Sequence, residues 1–558
     1  MTELLLIGVI GLLTIALATS VAPRVGLSAP VILVLLGIGV SFLPFIPNFE
    51  IEPEWILAGI LPPLLYSASV SMPTMNFRRE FGAISGLSVV LVVVSSVVLG
   101  LLFAWLIPGL GLPWGIALGA IVSPTDAVAT SIVKRTGVSP RVVAILEGES
   151  LLNDATALVL LRTAIASVAA AISFWSVIGT FAFSVIVALI IGYIVGRLNL
   201  IVRARVRDAT VNTVISFTVP FLASIPAELL GASGLVAAVV AGLITGRRAP
   251  RVLSPEHRLS DAQNWRTVEL VLEGAIFLTM GLELDAIVTN VQEDHAGLGP
   301  AIILALIALL ATIIVRAAYV APLLGSLRRR AKRGEKFKPR VQRLQQALDD
   351  PDAPLPAIGH ERVGRGRPGR DLVGRKRLGR NRQHPTKPLD KERIGTRARR
   401  AVADIDYFLE APLGWREGAV VVWAGMRGAI TVAAAQTLPP DTPHRSLLVL
   451  IAFAVAALSL LMQGGTLDSV IRLVRPASQD PNVARDEHHR LMNVIDAVTL
   501  ESDTASPTEH ELALIAAKRT VLLDARDDGT FDAEVLAEVL TALDAEQLSL
   551  QLRADAGD

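Results

Sequence analysis

Three short stretches of this chain set ionisable or helix-breaking residues inside otherwise apolar runs. The first, Glu147-Gly148-Glu149-Ser150-Leu151-Leu152-Asn153-Asp154, places Ser150 and Asp154 four residues apart on one helical face. Glu149 and Asn153 are paired in the same way one step around the helix. Two carboxylates, a hydroxyl and an amide within about two turns make a set of hard oxygen ligands, which suits a small alkali cation. A bare carboxylate among apolar residues is costly, so Asp154 should hold a proton or a cation rather than neither. The alternative is a structural pairing of these carboxylates with arginine, which applies to Glu149 more than to Asp154.

The second stretch is Ser123-Pro124-Thr125-Asp126. Pro124 lacks an N–H and frees a carbonyl one turn upstream, while Thr125 and Asp126 can cap the helix that resumes. A helix broken within a bilayer is tolerated only where it lines protein or a water-filled cavity; the plainer reading is a kink used for packing. The third, Gly425-Met426-Arg427-Gly428, sets a cation between two glycines that permit close approach. Arg316 is a second cation in an apolar run. Both arginines read either as counter-ions to buried carboxylates or as side chains that snorkel to an interface. Arg162 reads as a structural partner, Glu147 as an edge residue, and Glu269 with Glu273 (i,i+4) as structural or dimer-packing residues more than transport residues.

What must position these groups follows from composition. The chain has 558 residues, 52% hydrophobic and only 18% charged, with mean hydropathy +0.54, which excludes disorder and an ordinary soluble enzyme. Cysteine is absent, so thiol catalysis, disulfides and thiolate metal sites are excluded. Eight histidines without HExxH spacing argue against a zinc enzyme, and the missing GxxxxGK[ST] loop argues against ATP as the energy source. No cofactor is expected.

An all-α polytopic membrane protein remains. Thirteen apolar segments long enough for a bilayer are expected near 4–21, 29–46, 53–70, 82–106, 113–133, 145–170, 173–197, 209–226, 229–247, 266–283, 299–322, 417–438 and 446–470. The first lacks the basic start and small-residue site of a cleavable signal peptide. Arginine and lysine (Arg24, Arg78/Arg79, Lys134/Arg135/Arg141, Arg203/Arg205/Arg207, Arg247/Arg248/Arg251) recur in every second connection, whereas others are neutral or acidic (Glu50-Glu52-Glu54, Glu293-Asp294). This asymmetry predicts the N-terminus outside and the C-terminus in the cytoplasm.

Four regions result: transmembrane helices 1–11 over 1–327, a basic and largely disordered cytoplasmic loop over 328–410, helices 12–13 over 411–472, and an acidic, partly helical cytoplasmic tail over 473–558. Residues 328–400 hold 24 Lys/Arg against 8 Asp/Glu, including Gly364-Arg365-Gly366-Arg367-Pro368-Gly369-Arg370, and 476–558 hold 6 against 18. The overall charge of +1 therefore conceals two opposed charged segments, expected to attract each other and to separate in high salt. A basic run beside a bilayer more simply meets anionic lipid than nucleic acid, so no nucleic-acid partner is expected.

The Ser-Pro-Thr-Asp break falls in the fifth segment and the Gly-Met-Arg-Gly break in the twelfth. If segments 1–6 and 8–13 are two units, each break lies in the fifth helix of its unit, and the single seventh segment inverts the second unit. Inverted repeats with paired broken helices mark secondary transporters.

Together with Leu61-Pro62-Pro63-Leu64-Leu65, these motifs resemble the monovalent cation/proton antiporter superfamily, in particular its electroneutral sodium/proton exchanger branch (the NhaP and NHE kind), over residues 1–327 and 411–472. The resemblance implies that Asp154 carries the ion or proton. It implies a cation shell of Asp154, Ser150, Thr125 (through its main chain) and Glu149, with Glu149 acting through water and paired with Arg316. Asn153 would mark electroneutral exchange, and Asp126 and Arg427 would stabilise the crossed breaks at Pro124 and Gly428. The implied reaction is 1:1 exchange of Na+ (or Li+, K+) for H+ by a homodimer in the plasma (bacterial inner) membrane. Rival readings are a K+/H+ antiporter of the same fold, a cation channel, a proton-coupled symporter for an organic solute and a membrane-anchored nucleic-acid- or lipid-binding protein.

Overall fold

The computed structural model describes residues 2–43, 52–169, 174–294, 297–349, 391–477, 481–500 and 507–557. Its first elements are α1 (Thr2–Val25), α2 (Ala29–Ser41) and α3 (Leu61–Ser71), the last entered through a π-helical stretch at Trp55–Ile60. Next, α4 (Thr74–Ser85) continues through a second π-helical stretch into α5 (Val92–Leu106). The Ser-Pro-Thr-Asp segment separates α6 (Leu112–Val122) from α7 (Val128–Arg135). There follow α8 (Pro140–Ala169), α9 (Phe174–Arg203), α10 (Ala209–Leu229), α11 (Gly234–Val252), α12 (Pro255–Leu282), the short α13 (Leu284–Glu293) and α14 (Leu298–Asp349). After α15 (Lys391–Glu410), the Gly-Met-Arg-Gly segment separates α16 (Trp415–Trp423) from α17 (Ala429–Gln436). The bundle closes with α18 (Arg445–Ser459) and α19 (Gly465–Val474), and the tail forms α20 (Pro481–Asp496), α21 (Pro507–Asp528) and α22 (Ala533–Gly557).

No strand occurs among the described residues, and seven helices there are long and apolar enough to cross a membrane. Helix starts follow the caps in the sequence: Asp208, Ser233 and Ser254, each in extended conformation, accept hydrogen bonds from Val211, Val236 and His257 main-chain N–H groups. The bundle exposes many apolar side chains and buries several ionisable ones within its hydrophobic core. Leu6, Leu13, Trp105, Ile190 and Leu310 are exposed, whereas Glu149, Asp154, Arg316 and Arg427 are buried, the arrangement of a multi-pass membrane protein.

The helices pack as two groups. One joins α4–α8, α14 and α16–α19; the other joins α1–α3 and α9–α12, with sparser packing between them. Within the first, Gly115 and Gly119 of α6 lie against the main chain of Ser96 and Gly100 of α5, so the backbones meet without intervening side chains.

Two expectations need correction. Residues 328–349 and 391–410, read as a largely disordered loop, are helical: α14 runs unbroken past 327 and α15 packs back along it. The Gly-Arg-Pro run at 364–370 lies outside the described residues. Two arginines counted as loop cations are buried instead. Arg141 Nε donates to Glu80 Oε1 at 2.6 Å, and Arg203 donates to Asn212 Oδ1 and Asp261 Oδ2 at 2.7 and 2.6 Å. Arg162, read as a structural partner, does pair, with Glu228 at 3.7 Å.

The tail is a separate three-helix unit with its own core of Leu491, Ile495, Leu522, Val535, Leu536, Val539 and Leu543. It sits against one end of the bundle, beside α15 and the ends of α11 and α12.

Candidate functional site

The two breaks cross one another at the heart of the first helix group. Asp126 N–H donates to Met426 O at 2.8 Å, joining the breaks by their main chains. Arg427 Nε donates to Val122 O at 2.9 Å, where α6 ends, and its Nη1 bonds Gly425 O. Asp126 Oδ1 accepts from Val128 N at 3.0 Å, where α7 begins. A carboxylate thus meets the positive end of one half-helix and a guanidinium the negative end of another, each complementing the helix dipole it faces. Arg427 N–H also donates to Ser459 Oγ at 2.9 Å.

The glycines flanking Arg427 have steric reasons. A Cβ at Gly425 would sit 2.6 Å from Arg316 Cδ and Nε, and one at Gly428 would coincide with the Asp126 carboxylate. Gly428→Ala is therefore expected to cost about 1–3 kcal/mol through overpacking. It should lower the thermal midpoint followed by tryptophan fluorescence, and Asp126→Gly in the same chain should recover part of the loss. Equal midpoints for wild type and Gly428→Ala would disprove the close contact.

Arg316 of α14 reaches across to α8. Its Nη1 and Nη2 clasp Glu149 Oε1 and Oε2, the second at 2.7 Å, and its Nε donates to Val421 O at 2.9 Å near the end of α16. Glu149 and Arg316 are 2% and 3% exposed in their side chains, so this is a bidentate pair without water access. Thr125, expected to cap the resuming helix, instead turns its hydroxyl to Glu149 Oε1 at 3.2 Å. Asn153 Nδ2 donates to Thr125 O at 2.9 Å and to Thr125 Oγ1 at 2.8 Å. Asn153 Oδ1 is buried and accepts no hydrogen bond from the described residues.

Asp154 is 4% exposed and forms no ion pair or hydrogen bond among those described. It faces a cavity of about 330 Å³ together with Ser150, Asp126, Ala429 and Ile430. The opposite wall comes from the second helix group: Leu61, Leu65 and Ala68 of α3, and Glu269, Glu273 and Phe277 of α12. Lys134 and Glu147, paired to each other, also line it. Ser150 Oγ donates to Glu147 O at 3.0 Å. Glu149, Asn153, Thr125 and Arg427 lie outside the lining, behind Asp154 or within the crossing. At the far end of α17, Gln436 Nε2 donates to Glu283 Oε2 at 2.9 Å, and both line a second cavity of about 670 Å³ with Glu52 and Asp294. α17 thus stands between two cavities.

Sequence reasoning set Glu269 and Glu273 nearer to structure or dimer packing than to transport; both face the Asp154 cavity. Their i,i+4 spacing was visible, but the partner of that face was not. It also missed the buried Glu80–Arg141 pair, since each residue alone reads as a loop or helix-end charge.

Comparison with known proteins agrees with this architecture. A family model described as "Sodium/hydrogen exchanger, transmembrane" matches residues 10–340. An uncharacterized Na(+)/H(+) exchanger of Mycobacterium tuberculosis is 26% identical over 475 residues, 83% of this chain and 73% of the relative. A sodium, potassium, lithium and rubidium/H(+) antiporter of Bacillus subtilis is 29% identical over 299 residues, 52% of this chain and 45% of that protein. The sodium proton antiporter MjNhaP1 of Methanocaldococcus jannaschii superposes with a TM-score of 0.56 at 16% identity, covering 85% of this chain and 100% of that one, which shows a shared fold. With more than half its length matched by the family model, and broken helices crossing beside a buried carboxylate, the chain belongs to the sodium/hydrogen exchanger family of transmembrane cation/proton antiporters.

Proposed function

We propose that this protein exchanges a monovalent cation, Na+ first and Li+ or K+ after it, for H+ in an electroneutral 1:1 cycle by competition at Asp154. One observation carries the reading: Arg316 neutralises Glu149, leaving Asp154 as the buried carboxylate of α8 with no ion partner among the described residues. One titrating carboxylate holds either one cation or one proton, and both loaded states carry the same charge. Asn153, a neutral amide beside it, adds no second charge. The cation is held first by Asp154 and Ser150, which line the cavity, with Thr125 and Glu149 behind them as the outer part of the shell, and Asp126, Pro124 and Arg427 hold the crossing. An unloaded carboxylate is too costly to carry through the low-dielectric interior, which prevents uncoupled leak.

The helix group bearing Asp154 moves against the group bearing α3 and α12, exposing the site to the two cavities in turn. Thirteen crossings (α1, α2, α3, α4–α5, α6–α7, α8 to α12, α14, α16–α17, α18–α19) form two inverted six-helix units about α9, with the N-terminus outside and the C-terminus in the cytoplasm. The paired breaks and the alternating loop charges support this topology. A homodimer in the plasma membrane, without cofactor, is the working assembly.

In proteoliposomes with a pH-sensitive dye, clamping the membrane potential with valinomycin should leave the exchange rate unchanged; a clear change would replace 1:1 with another stoichiometry. Protons compete with the cation, so the apparent KM for Na+ should rise about tenfold per pH unit on the acid side of the site's titration and level off on the alkaline side. A KM independent of pH would end the competition mechanism. The name of the Bacillus relative favours breadth in the cation, and K+/H+ exchange on the same fold is the second reading. Single-channel currents would favour a channel instead.

A further inference from the structure

Where α14 leaves the bundle it carries a run of cations, Arg328, Arg329, Arg330, Lys332 and Arg333, and cation exchange at Asp154 uses none of them. Arg328 and Lys332 line a cavity of about 370 Å³ between α14 and α15. The lining is otherwise largely apolar, with Phe408 and Leu409 of α15 and Pro412 just after it. Arg328 Nε donates to Leu413 O at 2.8 Å, which ties the guanidinium to the segment before α16. Arg141 adds a third cation, its Nη1 donating to Ala411 O at 2.6 Å and its guanidinium carbon lying 4.9 Å from the Phe408 ring centre. Glu335 is the one carboxylate of the lining.

The two cations of α14 lie on its lipid-facing side. Leu310 and Ile314, 60% and 57% exposed, belong to that side. Arg328 follows Leu310, and Lys332 follows Ile314, by five whole turns of a helix that runs unbroken from Leu298 to Asp349. All four side chains therefore share one stripe. From Leu298 to Arg328 the helix rises about 45 Å, the thickness of a bilayer with its headgroup layers. Cα–Cβ bonds tilt toward a helix N-terminus, so both cations lean back toward the membrane. Cations thus stand at headgroup depth, in line with an apolar stripe at acyl-chain depth.

We propose that the cleft between α14 and α15 binds one anionic phospholipid, its phosphate held by Arg328 and Lys332 and its chains laid along the Leu310–Ile314 stripe. Charge selects the headgroup, since basic side chains at a bilayer surface favour anionic lipid. A zwitterionic headgroup carries its own cation beside the phosphate and gains less here. The apolar wall of Phe408, Leu409 and Pro412 distinguishes lipid from free phosphate: glycerol and upper acyl chains remove it from water, which a bare phosphate does not. In the topology proposed above this is the cytoplasmic leaflet, although the site itself needs only a bilayer. A lipid seated there joins α15 to α14, so the end of the 391–410 helix is held by a membrane ligand as well as by protein.

The test offers phosphatidylglycerol or phosphatidylcholine to the full chain in a non-ionic detergent. Native mass spectrometry counts the lipid retained, and tryptophan fluorescence follows the thermal midpoint. Wild type should retain one phosphatidylglycerol per chain, about tenfold over phosphatidylcholine, and only the anionic lipid should raise the midpoint. Lys332→Glu, at an exposed position, should remove both the preference and the rise while leaving the lipid-free midpoint unchanged. Arg328→Gln should also lose the preference; if losing the bond to Leu413 O unfolds that chain, Lys332→Glu decides alone. Arg205→Glu changes an exposed cation just beyond α9, outside the cavity, and should behave as wild type. Equal retention of the two lipids by wild type, or an unchanged preference in Lys332→Glu, would overturn the proposal. So would displacement of phosphatidylglycerol by inorganic phosphate, the mark of a free-phosphate site. An equal loss in Arg205→Glu would also overturn it, by showing diffuse surface attraction in place of a site.

Discussion

Asp154→Asn is expected to abolish cation-driven proton movement, lowering it at least about a hundredfold, since even outer-shell changes at ion sites cost 10- to 100-fold. The amide keeps the size of the side chain but can neither take up a proton nor neutralise a cation. Because Asp154 forms no hydrogen bond or ion pair among the described residues, the substitution removes no structural contact. Its thermal midpoint should stay at or above that of wild type, as a buried carboxylate without a partner is itself destabilising. This combination separates transport from folding. Sodium-driven flux surviving in a well-folded Asp154→Asn protein would disprove the assignment.

Arg316→Ala should produce the opposite pattern, a loss of stability. It strands the Glu149 carboxylate beneath the crossing with Thr125 as its one remaining partner among the described residues, and breaking a buried pair from one side costs about 3–5 kcal/mol. It also removes the donor to Val421 O at the end of α16. Adding Glu149→Gln should recover a large part of that cost, because the residual amide needs no counter-charge, and the double-mutant cycle should show strong coupling. The double variant should still titrate at Asp154, because it removes a charge of each sign and leaves the local balance unchanged. Denaturation curves that are additive for the two substitutions would show that Glu149 and Arg316 do not act as a pair.

The contrast between these two carboxylates explains why one helix carries both. Glu149 is fixed in charge by Arg316 and holds the frame through Thr125 and Asn153. Asp154, five residues on, is left without a counter-charge and can exchange its ligand. Asn153 connects the two, donating to the Ser-Pro-Thr-Asp break and leaving its own oxygen without a donor among the described residues. A similar division appears in the break itself, where Asp126 is bound to α7 and to the main chain of the second break.

By itself the sequence determined the membrane class, the position of the apolar segments, the two breaks and the Glu147–Asp154 constellation. Each of these is a local property: hydropathy over a window, a proline without an N–H, or an i,i+4 spacing that any helix enforces. It also placed the opposite charges of the 391–400 segment and the tail and read the tail as partly helical, but not the helix over 391–410, because a run rich in arginine and glycine reads as disordered until a partner helix is present. Only the tertiary structure decided which charges meet. Glu149 meets Arg316 across 167 residues, a pairing that the family resemblance implied and residue spacing did not, while Asp126 found Met426, Arg427 found Val122, and Glu80 found Arg141. It turned Thr125 from a cap into a partner of Glu149 and set Glu269 and Glu273 on the wall of the Asp154 cavity. The reason is physical: periodicity fixes which face of a helix is polar, while the identity of the facing group depends on how distant helices pack.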